Sequence, residues 1–498
     1  MRPLPSWLRR PGTTLVVAVV LLAGLGVTAD LTAPAATTTP SRPPGAGPEV
    51  PVAQSHGVCP DPAADASTQT RVSVAAPGAG DAGPGRGGVH LTTLAGRPVP
   101  LDVGVPASGS VLATAGVGPL VARADGAAAP GLAVGMLTRS TVDAARGLLG
   151  TTCATAGSDS WFVGSGSVVG QRGRVYLSNP EAAPAVVDVT LYGPDGPYDT
   201  PAGRGIAVAA GTQEVALLDA LAPGSSVFAI HVHARTGRIA AAVRDQQIDG
   251  LTPRGADWLP PAAPPARNQL VAGIVSGTGE RVLQVVAPGE SDAIVKVRLV
   301  TETGSFAPSG LDVLEVKAGS VAVVDLAPYA GTDPVAVSLE SDVPVTAGVL
   351  ARATGTAAGA LTDVAYTAAG RPLTPETPGT VPEARTGTGI ASTLLLATSG
   401  AAATVRVTPL PPATGTPQDV EVPAESQVVL VLGAVSTAPT FSVSVVPLRG
   451  SGPVYAVREV TEAEAKGPML STEPVPPGRY TVVVPRVLAD LSTGLRTR

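Results

Sequence analysis

Residues 161–195, WFVGSGSVVGQRGRVYLSNPEAAPAVVDVTLYGPD, alternate short β-branched runs with turn residues and carry no amphipathic helical pattern. Residues 174–178 and 185–192 read as strands, the second carrying Val186, Val187, Val189 and Leu191. Asn179-Pro180 and Pro194-Asp195-Gly196 mark turns, because Pro fixes φ while Asn, Asp and Gly tolerate turn conformations. Punctuation every 8 to 12 residues or so confines a chain to β sandwiches and barrels and excludes a parallel α/β sheet.

Looser copies follow. The reading gives β module one at residues 58–160, two at 161–257, three at 258–365 and four at 366–498. Module two adds strands at 206–218, 227–234 and 238–245; module three repeats the order from 281–286 to 345–352. Module four crosses a Pro/Thr spacer at 372–388 and repeats it again from 392–397 to 454–460. In module one, residues 140–149 read as a helix, with Ser140 or Thr141 as N-cap and Gly150 as the stop.

An arginine after small apolar residues marks the late strand of each module: Arg123, Arg244, Arg352 and Arg458. Trp258 and Tyr366 each follow such an arginine by 14 residues and read as the opening of the next module. A period near 100 is long for an ordinary propeller blade and suits a small sandwich. The expected fold is all-β: tandem β-sandwich-like modules of about 100 residues after an N-terminal transmembrane helix. The alternative is a closed ring or propeller-like arrangement of the four modules.

The start of the chain sets the compartment. Arg2, Arg9 and Arg10 lie in residues 1–12, and 13–29 are uncharged and apolar. As a helix that run spans roughly 25 Å, the short end of what crosses a bilayer. The arginines place residues 1–12 in the cytoplasm and the bulk outside. Ala33-Pro34-Ala35 supports the alternative, a cleaved signal sequence and a secreted protein. Residues 30–57 are a Pro/Ala/Thr linker. Cys59 and Cys153, the only cysteines, are expected to pair in an oxidising compartment; two buried free thiols are the other reading.

Three features together, Trp161-Phe162-Val163 with Ser165-Gly166, the Asn179-Pro180 turn and the late arginine-bearing strand, resemble repeats of bacterial surface proteins. With Cys59-Pro60 and Cys153 shortly before Trp161, the arrangement resembles an actinobacterial family of exported proteins with a domain of unknown function (5719). That resemblance spans roughly residues 58–490. It implies a membrane-associated envelope protein and brings no catalytic residues.

Chemistry is sparse. No Gly-x-Ser-x-Gly elbow, His-Glu-x-x-His or Walker loop is present, and no enzyme is expected. A net charge of −6 without a basic block argues against nucleic acid. His231 and His233 share a strand face, but no third ligand lies near them in sequence. They read as a polar face, with no metal and no cofactor. Arg123, Arg244, Arg352, Arg458, Trp161 and Trp258 read as structural residues of the module junctions. The expected role is a non-enzymatic, membrane-anchored envelope scaffold with membrane and envelope-protein partners. Cell-wall polysaccharide binding and a divergent envelope enzyme are the alternatives.

Overall fold

The computed structural model describes residues 47–484, except 63–67, 79–86, 104–106, 114–115, 143, 278, 356 and 358. The expected cytoplasmic residues 1–12, the apolar run 13–29 and the linker as far as residue 46 lie outside the described residues. Among the described residues no helix is long and apolar enough to cross a membrane. The chain forms two compact units, Met1–Val50 with Val483–Arg498, and Pro51–Val482. In the first, Val484 N donates to Pro48 O at 3.0 Å. β1 (Glu49–Pro51) and β35 (Thr481–Val483) form a two-stranded sheet at the ends of the described chain. Everything below concerns Pro51–Val482.

That unit holds four copies of one plan, two antiparallel sheets face to face. In module one, β2 (Gln54–Cys59), β7 (Leu120–Asp125), β4 (Val89–Thr93) and β5 (Pro98–Val103) form one sheet. β6 (Ala107–Ala113), β3 (Thr68–Ala76), β8 (Ala133–Ser140) and β9 (Gly147–Thr152) form the other. In module two, the first sheet is β10 (Asp159–Val163), β16 (Ala229–Thr236) and β12 (Ala185–Gly193), edged by β13 (Gly196–Pro197) and β14 (Ile206–Val208). Its second is β15 (Gln213–Leu217), β11 (Arg174–Ser178), β17 (Ala240–Asp249) and β18 (Thr252–Leu259).

Module three follows suit. β19 (Ala266–Ile274) and β21 (Ala293–Thr301), edged by β22 (Gly304–Phe306) and β23 (Leu314–Val316), form one sheet. β24 (Val321–Asp325), β20 (Arg281–Val286) and β26 (Thr362–Ala368) form the other. The 20-residue β25 (Val335–Thr354) serves both, pairing with β19 and β21 up to Val345 and with β20 and β26 from Thr346. In module four, β27 (Gly379–Gly387), β32 (Thr440–Pro447), β29 (Ala403–Pro409) and β30 (Gln418–Val422) face β31 (Gln427–Val431), β28 (Ile390–Ala397), β33 (Tyr455–Glu462) and β34 (Met469–Pro474).

Period-two burial builds each core. β12 alternates buried and half-buried over nine residues, sending Val187, Val189 and Leu191 inward against Phe162, Val175 and Leu177. After β15, β24 and β31, a fully buried leucine (Leu218, Leu326, Leu432) opens or precedes a single helical turn.

The last strands of the modules close a circuit: β9 packs on β18 and β34, and β26 also packs on β18 and β34. This unit is therefore a propeller-like ring of four modules, with β9, β18, β26 and β34 around its axis. Each axial strand is a sheet edge, hydrogen-bonded along one side only. Backbone amides on the other side need acceptors, and buried carboxylates supply them. Asp363 Oδ2 accepts from Leu148 N and Leu470 N, both at 3.1 Å. Asp257 Oδ1 accepts from Gly150 N at 3.0 Å and from Ser471 Oγ at 3.2 Å. Burial pushes Asp257 well above the usual carboxyl range and Asp363 up to about 7. Packing is tight there; a methyl group on Gly150 would collide with Glu473 Oε1.

Three sequence expectations are corrected. The helix at 140–149 does not form: Gly147–Thr152 is β9, with Leu149 in the module-one core and Leu148 facing Val460 and Met469 of module four. Neighbouring leucines facing opposite ways require a strand. The supposed spacer at 372–388 contains β27, buried over its first six residues. A register shift between Val381 and Ala384 brackets Pro382, which has no amide hydrogen to give the ladder. Trp258 and Tyr366 do not open modules three and four; they lie on β18 and β26, the last strands of modules two and three.

Candidate functional site

At one end of the axis lies a cavity of about 340 Å³ to which all four modules contribute. Its walls include Cys153, Pro261, Gly370 and Pro476, each just beyond an axial strand. Arg371 and Arg479 bring charge to it, and His56 and Glu473 are its titratable neighbours. Burial holds the His56 imidazole below its ordinary pKa and pushes the Glu473 carboxyl up.

Asp159 and Trp161 also line the cavity and lead to a cluster on the outer face of β10, β16 and β12. Antiparallel register sets Asp159 opposite His233 and Trp161 opposite His231. Since β16 sends alternate residues inward, Ile230 and Val232 enter the core and His231 and His233 point out. Asp159 Oδ2 stands 2.7 Å from His231 Nε2 and 3.4 Å from His233 Nδ1. One potential ligand atom from each of the three residues lies within 4.8 Å of the others. The Trp161 ring stacks on His231, with centroids 4.1 Å apart and an interplanar angle of 8°, and Tyr192 lies 5.8 Å from Trp161 on the same face. Beside them, Arg235 Nε donates to Asp188 Oδ2 at 2.5 Å.

The disulfide expected from the sequence is present: Cys59 and Cys153 are bonded, with Cα atoms 4.4 Å apart. It joins β2 in one sheet to the residue after β9 in the other. Trp161 is 7% exposed and packs with Val286, Val321 and Ala368 of module three. Trp258 is buried among module-one residues and lies 5.1 Å from the Tyr176 ring.

The four arginines occupy different surroundings. Arg123 stands on β7, the sixth strand of its module, and donates to Pro180 O of module two at 3.2 Å. The other three stand on β17, on the second half of β25 and on β33, each paired with the last strand of its module. Arg244 is buried, which lowers its pKa. Arg352 reaches from module three to Gln247 Oε1 at 2.6 Å and Arg254 O at 2.7 Å in module two. Arg458 stays within module four, on Glu383 O at 2.5 Å and Glu473 Oε1. The equivalent strand of module one, β8, carries Arg139 instead.

The sequence reading missed Asp159 because it lies 72 residues before His231 and reaches it only through strand pairing. It also missed Asp257 and Asp363; an acid inside a Gly- and Thr-containing segment was the available signal. The model of the family of unknown function (DUF5719) matches residues 107–433, more than half of the chain. No curated protein matches the chain.

Proposed function

The chain belongs to the family of unknown function DUF5719, and from there we propose an extracytoplasmic, membrane-anchored cell-envelope protein that acts as a scaffold and not as an enzyme. The observation that carries the scaffold reading is a feature repeated around the ring. The strands β6, β15, β24 and β31, one in each module, are sheet edges, each paired on one side only. Each exposes large apolar side chains: Leu112, Val215 with Leu217, Val323, and Val429 with Val431. An edge strand with outward apolar groups is a template for strand addition by another chain. Four such edges on one rigid body give a partner several points of attachment, which multiplies weak contacts.

The compartment rests on the arginine-flanked apolar run at 13–29 and on the Cys59–Cys153 bond, which suits an oxidising environment. Cell-wall polysaccharide binding is less well supported, since the Trp161 ring is packed against His231 and Tyr192 and offers no open face to a sugar.

The test uses the full chain as bait for detergent-solubilised envelope membrane proteins and, separately, for cell-wall polysaccharide. Capture of a defined membrane protein, lost in Val215→Lys/Val431→Lys, is the expected result. Saturable polysaccharide capture that survives this substitution would overturn the scaffold reading.

A further inference from the structure

We infer that Asp159, His231 and His233 form a binding site for one divalent transition-metal ion of the zinc class. The inference does not depend on where the protein resides or what its edges bind.

The donor set comes first. Two imidazoles and a carboxylate suit Zn²⁺ and neighbouring late first-row ions, whereas Ca²⁺ and Mg²⁺ require oxygen-rich shells. Three protein ligands leave a position for water or an exogenous group, the arrangement of open zinc sites. Geometry agrees. A tetrahedral ion with bonds of about 2.0–2.1 Å separates its donors by roughly 3.3 Å. The Asp159–His233 gap is 3.4 Å, the 2.7 Å between Asp159 and His231 needs a small opening, and the three donor atoms already lie within 4.8 Å of one another, in reach of rotation of the exposed His233 and Asp159 side chains.

The site is also preorganised. Both histidines sit on β16, two residues apart, and Asp159 sits on the strand hydrogen-bonded to it, so sheet register fixes all three backbones. Stacking on the nearly buried Trp161 sets the plane of the His231 ring. Arg235, two residues beyond His233 on β16, is engaged by Asp188. The side chains of Asp159 and His233 are 45% and 49% exposed, so an ion can enter and exchange. The chain has four histidines in 498 residues, and two of them meet here.

Calorimetric titration of the chelator-treated full chain with ZnCl₂ is expected to show uptake of one equivalent, unaffected by excess Mg²⁺ or Ca²⁺. Asp159→Asn and His231→Ala should each weaken uptake at least about 10-fold, since even outer-shell partners are worth that much. His90→Ala, at an exposed position of β4 in module one, should leave it unchanged. Co²⁺ should produce visible d–d absorption in the wild type and lose it in the two site variants. If His231→Ala fails to fold because it uncovers Trp161, the half-exposed His233→Ala supplies the same test. Absence of one-equivalent uptake, or uptake that persists in the folded site variants, overturns the assignment.

Discussion

Arg139 Nε and Glu462 Oε1 stand 2.6 Å apart although 323 residues separate them in the chain. The pair joins module one to module four, where the ring closes. Its side chains keep 30% and 13% of their exposure, so it contributes at most about 1 kcal/mol. Behind it, Leu137 and Leu148 pack on Val460 and Met469. Burial on that scale outweighs a half-exposed ion pair.

Closure should therefore respond more to apolar than to charged substitution. Glu462→Gln is expected to cost less than about 1 kcal/mol, and Met469→Ala about 2–5 kcal/mol. Urea denaturation of the two variants measures both; the reverse ranking would show that charge holds the ring shut.

Asp363→Ala removes the acceptor for the Leu148 and Leu470 amides. Each buried amide left unpaired costs about 1–3 kcal/mol, so this axial substitution should rank among the most damaging. Hydrogen exchange at Leu148 and Leu470 should accelerate ahead of exchange in the module cores. Protection equal to wild type would refute the role given to the carboxylate.

Stability should rise on mild acidification. Burial lifts Asp363 and Glu459 to about 7, and raises Asp257, Glu383 and Glu473. The folded protein therefore binds protons that the unfolded chain, with carboxyl pKa values near 4, has already released. Stability from these groups is greatest below about pH 4 and declines as pH climbs towards about 7. His56, lowered by burial, acts the other way below about pH 6.5, but it is one group against five. The Tm at pH 5.5 should exceed that at pH 8. A Tm that rises with pH across this interval would contradict the assignment.

No thiol should titrate in the unreduced protein, since both cysteines are bonded. Replacing both by alanine opens a loop of 94 residues and is expected to cost about 4–5 kcal/mol on chain-entropy grounds. Denaturant midpoints of the double variant and the wild type would measure it; a loss under about 1 kcal/mol would mean the unfolded chain gains little freedom there.

Outer strands were legible in the sequence and axial ones were not. Residues 185–192 match β12 to within one residue, because a strand with one face in a core writes period two into its sequence; residues 174–178 and 281–286 match β11 and β20 as short runs buried on both faces. The axial strands β9, β18, β26 and β34 escaped notice because small residues, hydroxyls and acids take the place of a hydrophobic alternation. Asp257 and Asp363 act on strands of other modules, so their purpose cannot be seen within any one module's sequence. Asp159 is hidden for a related reason: the register that brings it to His233 is a property of the paired sheet.

The meeting of the first and last modules fixes how such a protein can change. Val52 N donates to Tyr480 O at 3.0 Å, so the unit starts and finishes at one point. A solenoid of repeats can lose or gain a member and remain a solenoid, provided its ends stay capped. Here each axial strand occupies one quadrant and lends or borrows hydrogen-bond acceptors across the centre. Deleting a module would leave a gap that the other three cannot span, and a fifth would have no place at the axis. Copy number is thus locked, and variation is left to the loops and outward edges.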